Sequence, residues 1–261
     1  MQSSSLFKGT PTIKIVGNRG LTVKEIDYHR HPDSPNITNE RITRHQYNTT
    51  RGLLIKSIDP RLYEQQKNDP TINPNFYYHT SLTSMVLATN SVDAGTTFDL
   101  HDIAGRPTFA ISTTGVFRSW QYEDSQQLGR PISITEQLPS KTKYATERFI
   151  WAGNSDSEKQ KNLLGQCLCH YDTTGLQQVN SIALIGVPLS LTQQLLINNK
   201  EANWQAEDET IWQSYLSNDS YTTQNIVDAT GALILNIDIK GNRRRLEYNI
   251  AGMLKSSCLT I

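Results

Sequence analysis

Apolar and polar residues alternate in short stretches along this chain, and turn-forming residues separate the stretches. In an extended chain, Leu233, Leu235 and Ile237 would lie on one face and Ile234 on the other. Residues 243–249 alternate in the same way. A period of two is typical of half-buried β-strands. The pattern therefore predicts a mainly β fold built from successive antiparallel hairpins.

Glycines mark the turns between these strands. Many turns place Asp or Asn three residues before the glycine, where its side chain can hydrogen-bond to the backbone two residues on. Glycine accepts the positive φ that such a turn requires. We therefore predict structural roles in turns and repeats for Asp93, Gly95, Asp102, Gly105, Gly115, Gly129, Gly165, Tyr171, Asp172, Gly175, Asp228, Gly231, Asp238, Gly241, Tyr248 and Gly252.

Two segments depart from the strand pattern. Residues 50–79 read as a strand followed by a polar loop with three prolines. Near residues 203–216, apolar positions follow helical spacing and predict one short helix that buries Trp204 and Trp212. No Gly- or Ser-rich linker separates independent domains. We expect an N-terminal β-rich segment with a Pro-rich loop over 1–90 and a continuous repeat region over 91–261, incomplete at its C-terminus.

The composition narrows the possible functions. The 261 residues include 25 Lys and Arg and 25 Asp and Glu, so the formal net charge is zero. Proteins that bind nucleic acid or anionic membranes usually carry a basic excess, so neither function is expected. The longest apolar stretch, near 181–191, is too short to span a bilayer. The N-terminus also lacks the pattern of a classical signal peptide.

The sequence offers little support for catalysis or metal binding. Cys167 and Cys169 share a strand face and cannot easily bridge to each other, and we interpret them as ordinary thiols. His29, His31 and His45 lack a Cys or acidic partner at a recognisable spacing for a metal site. No P-loop, dinucleotide fingerprint or nucleophile elbow occurs. We predict no catalytic, cofactor-binding or metal-binding residue.

The repeated unit resembles a known motif. Tyr171-Asp172-x-x-Gly175, with Gly165 ten residues before the last glycine, resembles the YD repeat of RHS-repeat proteins. Larger blocks at 91–107, 122–137, 146–154, 163–181 and 221–234 resemble, in order and spacing, the N-terminal part of the C component (TccC) of bacterial insecticidal toxin complexes. The resemblance runs from about residue 10 to the end of the chain.

The resemblance implies a structural function. In that family, the RHS region pairs with a B component to form a large curved β-sheet shell. The shell encloses a C-terminal toxic domain, which aspartyl self-cleavage releases and the pore of the A component delivers. The chain would then be a non-enzymatic subunit fragment whose partners are the B component and, indirectly, the A-component pore. It would be made in the bacterial cytoplasm and secreted or released within the complex. The cleavage aspartates and the effector are absent from this sequence.

Two other classes of function stay open at the sequence level. A free-standing β-rich module that binds carbohydrates or surfaces would present exposed aromatic side chains. A glycoside hydrolase would need two carboxylates facing each other across a cleft. The sequence points to no such carboxylate pair.

Overall fold

The computed structural model describes residues 6–124, 126–197, 201–206 and 208–261. The chain comprises two compact units, Met1–Phe117 and Arg118–Ile261. The sequence analysis places a boundary between residues 90 and 91, where the regular turn repeat begins. This boundary stays a prediction.

The first unit is a run of antiparallel strands in which each strand pairs with the next one along the chain. The helix α1 (Pro60–Asn68) lies between the fourth and fifth strands in sequence. The strands are β1 (Ile13–Val16), β2 (Thr22–His29), β3 (Asn39–Tyr47), β4 (Leu54–Ile58), β5 (Phe76–Thr80), β6 (Val86–Ser91), β7 (Gly95–His101) and β8 (Pro107–Ile111).

In the second unit, each strand likewise pairs in an antiparallel way with the next one along the chain. Its strands are β9 (Phe117–Tyr122), β10 (Pro131–Gln137), β11 (Tyr144–Trp151), β12 (Cys167–Tyr171), β13 (Gly175–Ile182), β14 (Pro188–Leu196), β15 (Leu216–Val227), β16 (Leu233–Ile237), β17 (Arg243–Tyr248) and β18 (Leu254–Thr260). Two short helices, α2 (Asp156–Gln160) and α3 (Glu209–Gln213), lie in its longer connections. The prediction of a mainly β fold with successive antiparallel hairpins is confirmed.

The helices differ from the sequence prediction in number and length. The helix predicted near 203–216 is present as α3, but it is confined to five residues because Asp208 caps its start and β15 begins at Leu216. The polar loop predicted after β4 contains α1. Asp59 caps this helix by accepting a hydrogen bond from the amide of Leu62, and Pro60 fits its first turn. The sequence pattern assigns Pro60 to a loop, whereas proline is favoured at the first position of a helix.

Each unit has its own buried core. In the first unit, Ile42 and Ile58 of neighbouring strands and Leu62 of α1 are buried. The second unit has a larger cluster formed by Ala145, Tyr171, Leu176, Trp204, Trp212 and Leu216. The predicted burial of Trp204 and Trp212 is therefore confirmed, although Trp204 lies before α3 and not within it. Within the described ranges, no helix is long and apolar enough to cross a membrane.

Candidate interaction surface

The predicted turn glycines all adopt left-handed backbone conformations. Their φ angles lie between 68° and 143°, a region that residues with a Cβ atom rarely enter. They are Gly95, Gly105, Gly115, Gly129, Gly165, Gly175, Gly231, Gly241 and Gly252. Each lies in or beside a connection between consecutive elements, so these positions set where the chain reverses direction.

In several turns, the side chain of an Asp accepts hydrogen bonds from the backbone amides that follow it. Asp102 Oδ1 accepts hydrogen bonds from the amides of Ala104 and Arg106 at 2.8 and 2.9 Å. Asp172, Asp228 and Asp238 accept equivalent amide hydrogen bonds, and the amide oxygen of the Asn249 side chain does the same. Asp93 differs, because it forms an ion pair with Arg61 of α1 at 3.1 Å.

These hydrogen bonds favour the ionised carboxylates. The pKa of Asp102 is lowered, first by the backbone hydrogen bond from Arg106. The pKa of Asp228 is lowered chiefly by the hydroxyl of Thr230, and that of Asp238 chiefly by the side chain of Asn242. Charge on these turns therefore supports the turn conformation.

Tyr171 of the YD motif is the centre of the core of the second unit. Its side chain is fully buried, and its ring lies 5.1 Å from the ring centroids of both Trp204 and Trp212. The hydroxyl of Tyr171 donates a hydrogen bond to Glu209 Oε1 at 2.7 Å and accepts one from Gln213 Nε2 at 2.8 Å. Burial, followed by the hydrogen bond to Glu209, raises the pKa of Tyr171 far above its ordinary value. The tyrosine thus holds the covering segment, residues 201–206 and 208–216, against β12 and β13.

This segment is held by further hydrogen bonds to the strands below it. Trp204 donates from Nε1 to the carbonyl of Asp172 at 3.1 Å, and its backbone amide donates to the carbonyl of Ala145 at 2.9 Å. Arg148 Nε donates to the carbonyl of Trp204 at 2.9 Å. We call the hairpin β12–β13 with its covering segment the covered hairpin.

The variant motif Tyr248-Asn249-x-x-Gly252 lies on strands without such a cover. Tyr248 is half-buried, and its hydroxyl donates to the carbonyl of Leu233 at 3.0 Å. We call β16–β18 the bare ribbon, because β16 is only half-buried and all seven residues of β18 are exposed. Leu254 and Leu259 of β18 are more than half exposed. Exposed strands of this kind can accept another strand.

Large aliphatic side chains project from the turns at one end of the second unit. Because consecutive strands are antiparallel, the connections after β9, β11, β13, β15 and β17 lie at the same end. Leu184 and Ile250 are 91% and 111% exposed there. We call this set the apolar turn row, and its members are Leu128, Leu164, Leu184, Ile250 and Met253.

A cleft of about 550 Å³ opens at the same end, between the turns that follow β13 and β15. Leu184, Ile185, Ile226 and Val227 line it. Ile185 packs so closely on Gly231 that a Cβ atom there would lie 1.9 Å from the Cδ1 of Ile185. Gly231 is therefore needed for its positive φ, whereas the half-exposed side chain of Ile185 can turn away from an added Cβ atom.

The sequence analysis missed the apolar turn row. A signal was present for one member, because Ile250 directly follows Asn249, which starts a turn. Turn positions usually carry polar residues, and an aliphatic side chain there is exposed unless something covers it. Ile103 of the first unit is 108% exposed in the same way.

In the described part of the chain, Cys167, Cys169 and His45 form no recognisable reactive site. Burial raises the pKa of Cys167, and it raises that of Cys169 to about 12. A thiol with a raised pKa is a poor nucleophile. His45 pairs with Ser57 at 2.9 Å. Within the part of the chain that the structure describes, no group of three or more His, Cys, Asp and Glu side chains is placed to hold a metal ion.

The four tryptophans all lie in the described part of the chain, and none of them is exposed. Trp204 and Trp212 are buried, and Trp120 and Trp151 are half-buried. Arg130 lies over the ring of Trp151 at 4.9 Å from its centroid. A pair of exposed tryptophans for stacking on sugars is therefore not present.

Comparison with known proteins places the chain in a family. No protein-family model matches it. It is 45% identical over 258 residues to toxin subunit YenC1 of Yersinia entomophaga, which covers 99% of this chain. It also matches a chain of the TcdB2-TccC3 crystal structure, with a TM-score of 0.90 and 47% identity over 98% of its length. In sequence and fold, the chain corresponds to the N-terminal region of the C component of Tc toxins. The predicted resemblance to the N-terminal region of this component is confirmed.

The match covers only part of each relative. The chain spans 26% of YenC1 and 12% of the matched TcdB2-TccC3 chain. A structure of the Photorhabdus luminescens Tc holotoxin pore also matches, with a TM-score of 0.89 and 49% identity over 98% of this chain. The matches therefore concern about a quarter of the length of YenC1 and support a structural part of a Tc toxin.

Proposed function

We propose that this chain is a non-enzymatic wall segment of a Tc toxin shell, which pairs with the B component and helps to enclose a toxic effector that this sequence does not contain. The observation that carries the proposal is the match, at 47% identity and a TM-score of 0.90, to a chain of the TcdB2-TccC3 crystal structure. The turn and repeat residues serve this function by setting the length and direction of each strand.

Two surfaces support an assembled state. The bare ribbon exposes β18 along its whole length, and the apolar turn row exposes large aliphatic side chains at one end of the second unit. Burial of apolar area is favourable, at about 25 cal/mol per Å². Both surfaces are suited to contacts with other β-rich chains, since an added strand gains backbone hydrogen bonds and alternate side chains supply specificity.

The test is to mix the 261-residue chain with a purified B component and to measure the mass by size-exclusion chromatography with light scattering. We expect a defined complex with B and association or poor solubility of the chain alone. A chain that stays monomeric and does not bind B would contradict the proposal.

The double variant Leu184→Asp/Ile250→Asp removes two exposed aliphatic residues of the apolar turn row without touching the core. It should weaken the complex, whereas Thr173→Asp at the opposite end of the strands should not.

The proposed pathway to the target cell follows from the family. We propose that the chain leaves the bacterium as part of the toxin complex and reaches the A-component pore only through the B component. A pull-down with the A component, in the presence and absence of B, tests this order. Direct capture by the A component without B would contradict it.

A further inference from the structure

A cleft of about 680 Å³ lies in the first unit, against strands β1–β4 and beside α1. Its size falls in the range of small-molecule sites, about 300–1,000 Å³. Four cationic side chains belong to its lining, namely Arg19, Lys24, Arg44 and Lys56. It lies within the first unit and shares no residue with the apolar turn row or the bare ribbon.

Three of these cations lie side by side on one face of the strands. Lys24 of β2 is directly opposite Arg44 of β3. Lys56 of β4 is opposite Gln46, which is two residues from Arg44 and therefore on the same face. Neighbouring strands are about 4.8 Å apart, so the three positions span about 10 Å across the strands. Like charges directly opposite each other destabilise a strand pair, so this arrangement needs an explanation.

No acidic side chain in the described part of the chain compensates these charges. Among the described residues, none that lines the cleft is acidic, and no carboxylate lies within ion-pair distance of either cleft lysine. The nearby carboxylates are engaged elsewhere. Glu25 pairs with Lys14 at 3.2 Å, and Glu64 pairs with Lys67 at 2.7 Å.

The cleft also has walls that hold its shape. Arg44 lies over the ring of Tyr63 of α1, with its guanidinium carbon 5.7 Å from the ring centroid. Gln66 of α1 and Pro74 line the cleft beside it, and the buried Leu62 of α1 packs the helix against the core of the first unit. Lys24 and Lys56 are therefore half-buried in this hollow, and Arg44 lies at its exposed side.

We propose that this cleft is a binding site for a compact anion with several negative charges, of the di- or triphosphate kind. Arg44 would contact two oxygens at once through its guanidinium group, and Lys24 and Lys56 would supply point charges on either side. The bound anion relieves the repulsion between the opposed cations. The site is additional to the shell function and does not depend on it.

The experiment is a calorimetric titration of the full 261-residue chain with sodium tripolyphosphate at fixed ionic strength. We expect saturable binding at one site per chain. Lys24→Gln and Lys56→Gln should each weaken binding about tenfold or more, since each removes one charge-assisted contact. Arg41→Gln is the matched control, because Arg41 lies on β3 opposite Asp27 and outside the cleft.

Thermal unfolding distinguishes an anion-binding site from lysines that only contribute to the stability of the fold. In phosphate-free buffer of low ionic strength, Lys24→Gln should leave the melting temperature unchanged or raise it, because a like-charge pair is removed. Tripolyphosphate should stabilise the wild-type chain and Arg41→Gln, but not Lys24→Gln or Lys56→Gln. The absence of saturable binding, an equal loss in Arg41→Gln, or binding of a polyglutamate peptide in place of tripolyphosphate would each overturn the proposal.

Discussion

The covered hairpin and the bare ribbon carry two versions of the same motif in different surroundings. In the first, Tyr171 is fully buried beneath Trp204 and Trp212. In the second, Tyr248 is half-buried, and its hydroxyl donates a hydrogen bond to the carbonyl of Leu233 on β16. The turn chemistry is shared, since Asp172 and Asn249 both bind backbone amides. The motif therefore determines the turn in both copies. The tyrosine becomes a core residue only where the covering segment packs on it.

The two glycines of the motif show the same contrast. A Cβ atom at Gly175 would lie 2.1 Å from the carbonyl oxygen of Gln194, whereas a Cβ atom at Gly252 would meet nothing within 4 Å. Both glycines have positive φ, 143° and 74°. Close approach of the neighbouring strand is thus a property of the covered hairpin, and the left-handed turn is common to both.

The largest expected effect is the loss of the buried tyrosine. Tyr171→Ala should lower the free energy of unfolding by about 3–5 kcal/mol, as for other large buried aromatic residues. Tyr248→Ala should cost less, about 1–2 kcal/mol, because its ring is half-buried. Urea unfolding monitored by tryptophan fluorescence measures both. Equal losses would contradict the distinction between the two copies.

Substitution of Gly175 and Gly252 by alanine should distinguish the cost of backbone strain from the cost of a steric clash with the neighbouring strand. Gly175→Ala should destabilise the chain by about 3 kcal/mol, because strain and the contact with the Gln194 carbonyl act together. Gly252→Ala should cost about 1 kcal/mol, since only the left-handed conformation opposes it. Thermal unfolding of both variants is the measurement. If Gly252→Ala were the more harmful, the packing of the covered hairpin would not account for the difference.

Alkaline pH should lower the stability of the chain through ionisation of Tyr171 in the covered hairpin. The folded-state pKa of Tyr171 is raised by burial and by Glu209, so the unfolded state releases this proton first. The stability is complete below the ordinary tyrosine pKa of about 10 and falls as the pH rises above it. Melting temperatures measured from pH 8 to 11 should fall less steeply for Tyr171→Phe than for the wild type. Glu209→Gln, which removes the second cause of the shift, should give an intermediate slope. An unchanged slope in Tyr171→Phe would contradict this assignment.

Acidic pH should have the smallest effect on stability, and it should act by protonating the Asp side chains of the turns. The pKa values of Asp228 and Asp238 are lowered in the folded state, so their contribution is present above the ordinary Asp pKa of about 4 and is lost as the pH falls. The turn at Asn249 cannot titrate. Asp228→Asn with Asp238→Asn should flatten the decline in melting temperature below pH 5, and Thr83→Asn is a control in a turn without a carboxylate. A double variant with the wild-type acid slope would refute the assignment.

Much of the fold could be predicted from the sequence because its signals are local. Alternation in β16 and β17 and the Asp-x-x-Gly turns depend on residues close in the chain, and the structure follows them. The extent of α3 could not be predicted, because Trp204 reaches its buried place through a contact with Tyr171, thirty-three positions earlier. Similarly, the cationic cleft depends on the register of β2, β3 and β4, which composition and net charge cannot reveal.

Hydrogen exchange measured by mass spectrometry, on the chain alone and in complex with the B component, tests the account most directly. In the free chain, the amides of β12 and β13 should exchange slowly and those of β18 rapidly, since exposed strands open at low free-energy cost. On assembly, we expect β18 or the turns of the apolar turn row to become protected, with little change around Tyr171. Binding that leaves both of these surfaces unchanged, or a B component that protects nothing in this chain, would contradict the central claim.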